Sequence, residues 1–191
     1  MEKEKKERFA FREVCFEEQD EVTRIEQICF PPNEACSETQ MKERVEAVPE
    51  LFLVAVEKSS GKIAGFLNGL ATDEEVFRDE FFQDASLHKA DGGNIMLLGL
   101  DVLPEYRGQG LAKEIVAKYA RKESKRGRKK LILTCLEEKI AMYQKMGFCN
   151  NGIADSTWGD EEWYEMVYYV KWSNPRCSVS EISRSGGNTV I

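Results

Sequence analysis

The sequence LDVLPEYRGQGLAKEIV, residues 100–116, decides the fold, because an apolar strand runs through a glycine-containing turn into a helix. The first turn of a helix leaves backbone N–H groups without partners and carries partial positive charge. Gly108 and Gly110 let that backbone approach an anion closely, while Arg107 and Lys113 add positive charge. The segment therefore predicts a loop that holds a pyrophosphate. The alternative is a strand–turn–helix that binds nothing.

The spacing of the glycines separates this loop from two other classes of phosphate loop. The segment has neither the Gly-Lys-Ser/Thr of nucleoside triphosphatases nor the G-x-G-x-x-G of dinucleotide-binding domains. It contains instead the pattern R-x-x-G-x-A, formed by Arg107, Gly110 and Ala112. Those two classes are therefore excluded.

Hydrophobic periodicity predicts the elements around this segment. Apolar runs bounded by turn residues predict strands at 9–16, 51–56, 63–70, 94–103, 129–135, 148–154 and 163–170. Apolar residues at helical spacing predict a helix that ends before Pro31, a second that begins at the capping box 37–40, and two more at 111–125 and 138–146. Gly147 is the predicted stop of the last helix. The order β-α-α-β-β-β-α-β-α-β-β predicts one mixed α/β sheet, with a long connection at 73–93.

Length and composition bound the domain organisation. A chain of 191 residues suits one domain with tails. We predict a charged N-terminal tail at 1–8, a single domain at 9–171 and a C-terminal tail at 172–191. The C-terminal tail is rich in serine, glycine and asparagine, so we expect it to be disordered.

Charge and residue counts exclude several classes of partner. The net charge of −7 argues against nucleic acid and is compatible with a cationic small substrate. The sequence has no apolar run of the roughly 18 residues that span a bilayer and no secretory signal pattern, so we expect a cytoplasmic protein without membrane contact. Six cysteines lie outside C-x-x-C pairs and His88 is the single histidine, so we expect no metal site.

Two segments resemble the GNAT acetyltransferase superfamily. The pattern R-x-x-G-x-A is a form of that superfamily's Q/R-x-x-G-x-G/A signature. Residues 133–148, LTCLEEKIAMYQKMGF, resemble its next strand and helix, with Tyr143 where a tyrosine commonly lies near the coenzyme sulfur. The resemblance implies an acetyl-CoA-dependent N-acetyltransferase in which Tyr143 is catalytic. The alternative for Tyr143 is a tyrosine of the helix that is buried in the core.

The same resemblance implies the GNAT fold and a set of coenzyme-binding residues. The fold is a mixed central sheet of about seven strands, with helices on both faces and splayed fourth and fifth strands. In that fold the coenzyme's pantetheine pairs with the backbone of the fourth strand, and its pyrophosphate lies on the loop. The implied coenzyme-binding residues are Leu100, Asp101, Val102, Arg107, Gly108, Gln109, Gly110, Leu111, Ala112 and Lys113.

Four further segments resemble one branch of the superfamily, the arylalkylamine N-acetyltransferases and especially their non-vertebrate members. They are CFPPNEACS at 29–37, PELFL at 49–53, SLHKADGG at 86–93 and WYEM at 163–166. This resemblance implies a small arylalkylamine as acceptor and a pocket at Phe30 and Pro31 with aromatic residues of 77–82. The alternative for those aromatic residues, and likewise for Trp158 and Trp163, is packing in the core. We expect a monomer or homodimer. The alternatives are a polyamine or protein amine as acceptor, or a catalytically weak module that binds acetyl-CoA.

The chain departs from the vertebrate members of that branch at two positions. Their fourth strand carries two histidines that are thought to relay the proton from the amine, and the matching residues here are Met96 and Leu98. Because an alkylamine must lose a proton before it attacks, another acceptor is needed. Glu34 is the first candidate and Asp101 a weaker one. Glu34 can instead attract the cationic amine, cap the second helix or pair with a lysine.

Overall fold

Seven strands form one sheet in the computed structural model, which describes residues 7–170. The strands are β1 (Phe9–Glu13), β2 (Phe52–Glu57), β3 (Ile63–Thr72), β4 (Asn94–Val102), β5 (Lys130–Cys135), β6 (Cys149–Ile153) and β7 (Tyr164–Tyr169). The helices are α1 (Gln19–Cys29), α2 (Glu38–Ala47), α3 (Glu80–Gln83), α4 (Leu111–Lys125) and α5 (Ile140–Met146). The predicted C-terminal tail, and all but two residues of the predicted N-terminal tail, lie outside the described residues.

The sheet is mixed and opens between two of its strands. Its order is β1-β2-β3-β4-β5-β7-β6, and all neighbours are antiparallel except β4 and β5. The parallel strands pair only at Asn94 with Lys130, Ile95 with Leu131, and Met96 with Ile132. Beyond these pairs the two strands separate. The prediction of a seven-stranded mixed sheet with splayed fourth and fifth strands is therefore confirmed.

A bulge in β4 lies at the start of this opening. Asn68 of β3 pairs with Gly99, whereas Gly69 pairs with Leu97, so Leu98 is the extra residue on β4. Beyond the bulge the backbone of Leu103 donates to Ala64 on β3. Because backbone groups alternate in direction along a strand, the N–H and C=O groups at positions 100 and 102 face away from β3 and toward the opening.

Apolar faces hold the helices against the sheet. The buried residues of α4 recur at helical spacing, and α4 contacts β2, β3 and β4. The helix spans the predicted residues 111–125. The predicted start of α2 at the capping box is also confirmed. The Ser37 hydroxyl accepts a hydrogen bond from the Gln40 backbone N–H, and the Gln40 side chain accepts one from the Ser37 backbone N–H.

The long connection at 73–93 is more ordered than predicted. It contains the short α3 and a turn of 3-10 helix at Ala85–Leu87. Phe77 and Phe81 are 0% and 1% exposed, so their burial in the core fixes this connection to the sheet. His88 is also structural, since its Nδ1 accepts the backbone N–H of Ala71 at 3.2 Å. The sequence did not predict these short elements, because the aromatic residues of the connection follow neither a helical nor a strand spacing.

Gly147 ends α5 and fixes the position of the helix that carries Tyr143. Its φ of 106° lies in the left-handed region, as the predicted helix stop requires. An added Cβ would lie 2.9 Å from Cε2 of Tyr168. We expect Gly147→Ala to lower the free energy of unfolding by about 2–4 kcal/mol, because backbone strain and a clash add together.

Chemical denaturation measures this loss, and Gly61→Ala is the matched control. Gly61 also has a positive φ, of 73°, but no atom lies within 4 Å of the added Cβ. The control should lose only the strain of about 1–2 kcal/mol. Equal losses in the two variants would show that contact with Tyr168 contributes nothing.

Candidate active site

A cavity of about 730 Å³ opens where β4 and β5 separate. Residues of β4 and β5 form two of its walls, and the loop before α4, the α1–α2 linker, α5 and the β6–β7 loop close it. Most of the predicted site residues line this one cavity. They are Phe30, Pro31, Glu34, Leu100, Val102, Arg107, Gly108, Gly110, Leu111, Ala112, Lys113 and Tyr143.

The loop before α4 presents backbone N–H groups to one end of the cavity. Gly108 and Gly110 have φ values of 71° and 85°, and Gly110 is the residue at which α4 begins. No atom lies within 4 Å of a Cβ added at either position, so the backbone here is open to an approaching group. A helix N-terminus with exposed N–H groups suits the pyrophosphate of a coenzyme.

Arg107 has a structural contact in addition to its charge. Its Nε donates to the carbonyl oxygen of Val102 at 2.8 Å, and Cys29 Sγ lies 3.5 Å from the same oxygen. The guanidinium group is therefore tied to the end of β4. Backbone groups of Leu100 and the N–H of Val102 also face the opening, where an extended chain could pair with them.

Asp101 and Gln109 are the two predicted coenzyme-binding residues that do not line the cavity. Asp101 is fully buried, and its side chain faces α1, because successive side chains of a strand point to opposite faces. Gln109 lies at the surface, where its amide donates to the Glu105 carbonyl and accepts from Arg8. Neither side chain is placed to contact a molecule in the cavity.

Tyr143 extends from α5 into the cavity and is held by its ring. The ring packs edge-on against Phe148 at a centroid distance of 5.4 Å. Burial raises the pKa of Tyr143, and the nearby Cys135 and Asp101 raise it further. The hydroxyl group is therefore protonated at neutral pH and can donate a hydrogen bond or a proton.

Two thiols also line the cavity, from Cys29 and Cys135. Burial raises the pKa of Cys29 to about 11, and the charge of Asp101 adds to this effect. Burial likewise raises the pKa of Cys135 to about 12. Because the thiolate is the nucleophilic form, both residues are poor nucleophiles at neutral pH.

Glu34 lies in the α1–α2 linker, which is fastened to the β6–β7 loop. The indole N–H of Trp158 donates to the Glu34 carbonyl at 3.1 Å, and the Asn33 amide donates to Gly159 at 3.1 Å. Burial raises the pKa of the Glu34 carboxyl group, and the charges of two other glutamates, Glu161 and Glu138, raise it further. Since the side chain of Ser37 caps α2, Glu34 does not serve as its cap.

Aromatic side chains form the wall next to Glu34. The rings of Phe82 and Trp158 lie 5.0 Å apart, and the Trp163 indole donates to the Trp158 carbonyl at 2.7 Å. These three residues line the cavity together with Phe30. Sequence reasoning left the two tryptophans undecided between core and site, because the loop that brings them to the cavity has no recognisable pattern.

Glu26 of α1 is a cavity residue that sequence reasoning missed entirely. A single glutamate at an inward position of an amphipathic helix carries no local signal.

In residues 7–170 no cluster of three or more histidine, cysteine, aspartate or glutamate side chains is placed to hold a metal ion. No helix in this part of the chain has the length and apolar character needed to cross a membrane.

Comparison with known proteins identifies the family. Residues 19–148 match the model of the acetyltransferase (GNAT) family. No curated protein sequence matches the chain significantly. Several solved structures nevertheless share the fold at low sequence identity, which is evidence about the fold alone.

Three such structures illustrate the likeness. The GphF GNAT-like decarboxylase in complex with isobutyryl-CoA has a TM-score of 0.71 and 17% identity, over 84% of this chain and 99% of that one. The ribosomal-protein-S18-alanine N-acetyltransferase from Escherichia coli has a TM-score of 0.62 and 18% identity, over 89% and 99%. A phosphinothricin acetyltransferase from Sinorhizobium meliloti in complex with acetyl-CoA has a TM-score of 0.61 and 16% identity, over 85% and 89%. Because the family match at 19–148 covers more than half of the chain, the protein belongs to the GNAT acetyltransferase family and is an acetyl-CoA-dependent N-acetyltransferase.

Proposed function

We propose that the enzyme acetylates the primary amine of a small arylalkylamine, of the tryptamine, serotonin, phenethylamine or dopamine type, by direct attack while both substrates are bound. One observation carries the proposal. A single cavity joins the glycine loop and Tyr143 to an aromatic wall with a carboxyl group beside it. The first part suits acetyl-CoA, and the second suits a flat apolar group that carries an amine.

The coenzyme would lie along the opening between β4 and β5. The N–H groups around Gly108 and Gly110 would hold the pyrophosphate, with Arg107 and Lys113 supplying positive charge. The backbone at Leu100 and Val102 would pair with the pantetheine. Support for this comes from the direction of those backbone groups and from their lack of pairing with β5.

The amine would occupy the other end of the cavity. Aromatic faces attract both flat rings and cations, and the proposed contacts are Phe30, Pro31, Phe82 and Trp158. Glu34 beside this wall would attract the ammonium group or take its proton.

Tyr143 would act on the leaving sulfur. Its protonated hydroxyl group can donate to the developing thiolate, and a backbone N–H of β4 near Leu100 to Val102 can donate to the developing oxyanion. This division places a hydrogen-bond donor at each atom on which negative charge grows.

A polyamine is the second candidate acceptor, and a specific observation favours it. Glu34, Glu138 and Glu161 lie close enough to raise the pKa of Glu34 by their mutual repulsion. Glu34 and Glu138 line the cavity and Glu161 lies near Glu34, so this group of carboxyl groups would attract a multiply charged amine. A polyamine, however, would make little use of the neighbouring aromatic rings.

Turnover on a panel of amines tests the proposal. CoA release would be followed with tryptamine, serotonin, phenethylamine, dopamine, spermidine and a lysine peptide. We expect the best arylalkylamine to exceed spermidine by roughly tenfold or more in kcat/KM, because the aromatic wall favours a ring. The reverse order would indicate a polyamine enzyme. Bound acetyl-CoA without turnover of any amine would indicate a catalytically weak module.

A further inference from the structure

A pair of buried carboxyl groups adjoins the cavity beneath the bulge of β4. Glu26 of α1 is 3% exposed and Asp101 of β4 is fully buried. The two carboxyl groups are close enough for the charge of Glu26 to raise the pKa of Asp101. Glu26 and Gly99 both line the cavity, so the pair is connected to the substrate space.

Three side-chain oxygen atoms surround the position that a Cβ at Gly99 would occupy. A Cβ placed there would lie 3.0 Å from Asp101 Oδ2, 3.1 Å from Glu26 Oε2 and 3.6 Å from Asn68 Oδ1. Asn68 is 2% exposed, and neither its Oδ1 nor its Nδ2 has a hydrogen-bond partner among the described residues. Asn68 therefore directs an unused amide group at the space next to the carboxyl pair.

The carboxyl pair has unusually few partners for its burial. Glu26 Oε1 accepts the Cys36 backbone N–H at 3.1 Å. Glu26 Oε2 and both oxygens of Asp101 have no donor within residues 7–170. Since buried unpartnered carboxylates are costly, this arrangement favours a proton shared between the two groups and water at the remaining atoms.

Few charges surround the carboxyl pair. Arg44 of α2 is the cation that faces it, and its Nη1 has no partner among the described residues. The thiols of Cys29 and Cys36 and the hydroxyl group of Tyr143 are the other titratable neighbours. Burial raises the pKa of Glu26 despite Arg44. Burial and the charge of Glu26 raise the pKa of Asp101 well above its ordinary value.

We propose that the Glu26–Asp101 pair is the proton acceptor for the amine, and that Gly99 and Asn68 shape the water-filled space through which the proton reaches it. The pair holds one shared proton and one negative charge before the reaction. Asp101 belongs to β4, which also carries Met96 and Leu98 and contains no histidine. The inference rests on amine acetylation and does not depend on which amine is the substrate.

The proton balance is complete without another reactant. The ammonium group gives one proton through water to the pair, which becomes neutral, and the free amine remains. The amine nitrogen then bonds to the acetyl carbon and the carbon–sulfur bond breaks. Tyr143 protonates the sulfur and regains a proton from the nitrogen. After the products leave, the pair releases its extra proton to solvent.

This assignment separates the role of the pair from that of Glu34. If the pair accepts the proton, Glu34 serves to bind the cation. Glu34→Gln should then mainly raise KM for the amine, whereas Glu26→Gln and Asp101→Asn should mainly lower kcat. Both changes in the pair keep side-chain size and remove an acid.

The test compares these variants on two amines. The first is the best amine of the panel, and the second is its β,β-difluoro analogue, in which fluorine lowers the pKa of the ammonium group. We expect Glu26→Gln and Asp101→Asn to lower kcat about 10²-fold on the parent amine and to move the acidic limb of its pH profile. The loss should be only a few-fold on the analogue, which arrives largely neutral.

Glu123→Gln is the matched control. Glu123 is another fully buried carboxyl group with a pKa raised by burial, but it belongs to α4 and does not line the cavity. Its replacement should leave kcat on both amines and the pH profile unchanged. Thermal unfolding would show whether each variant is folded.

The kinetic and infrared outcomes each decide the proposal. Equal losses on both amines with an unmoved pH profile would mean that the pair only supports the structure, and unchanged kcat would also overturn the proposal. A loss restricted to the parent amine supports it. If the native enzyme acetylates no amine, infrared spectroscopy decides instead. A carboxylic-acid C=O band at neutral pH that the double variant lacks supports the shared proton, and its absence from the native protein refutes it.

Discussion

Replacing Tyr143 by phenylalanine is expected to lower kcat by about 10²-fold while the Kd for acetyl-CoA stays nearly unchanged. The ring packs on Phe148 and keeps this contact in the variant, so the cavity wall is preserved. Only the hydroxyl group is lost, and the departing thiolate then has no donor. Because burial raises the pKa of Tyr143, its own ionisation should not produce a basic limb in the neutral range of the wild-type profile.

Steady-state kinetics and equilibrium binding of acetyl-CoA measure this effect, with Tyr168→Phe as the control. Tyr168 also packs against Phe148, with ring centroids 5.4 Å apart, but it does not line the cavity. Removal of the Tyr168 hydroxyl group should leave kcat unchanged. If Tyr143→Phe retains full kcat, Tyr143 is a packing residue and the acid role is wrong.

Replacing Gly110 by valine is expected to weaken acetyl-CoA binding by about 10²-fold or more, equivalent to roughly 3 kcal/mol. The residue has a φ of 85° at the N-terminus of α4, with open space on the side where a Cβ would project. A branched side chain there would both disfavour the left-handed backbone and cover the N–H groups proposed to hold the pyrophosphate. Isothermal titration with acetyl-CoA measures the loss.

Gly127→Val is the matched control for this prediction. Gly127 has nearly the same φ, 83°, and also has no atom within 4 Å of an added Cβ, but it follows the other end of α4. Both variants should lose similar stability in chemical denaturation. Only Gly110→Val should lose affinity for acetyl-CoA. If both bind the coenzyme normally, the loop does not hold the pyrophosphate.

The sheet was predictable because its evidence is local. Apolar runs of a few residues predicted seven strands in the observed chain order. The capping box at 37–40 and the helix stop at Gly147 are equally short signals, and they marked two helix ends. The cavity end that we propose for the coenzyme could be recognised in the sequence for a related reason. Its residues are contiguous between 100 and 113, so one motif names nearly all of them.

The cavity end that we propose for the amine was harder to predict because it is assembled from distant segments. Glu26, Phe82 and Trp158 meet in one cavity although long stretches of sequence separate them. None of them belongs to a periodic pattern that marks it as functional. Asp101 shows a second difficulty. Its place in the strand makes it adjacent to residues of the opening, but the alternation of side chains turns it to the buried face where it meets Glu26.

The measurement that tests the account most directly is the initial rate of acetyl transfer as both substrates are varied. The cavity joins the loop proposed to hold the coenzyme to the aromatic wall proposed for the amine. Its two thiols, Cys29 and Cys135, have pKa values raised to about 11 and about 12. Direct attack in a ternary complex therefore predicts double-reciprocal lines that intersect, with no acetylated enzyme. Parallel lines, together with an acetyl group found on either thiol, would contradict it.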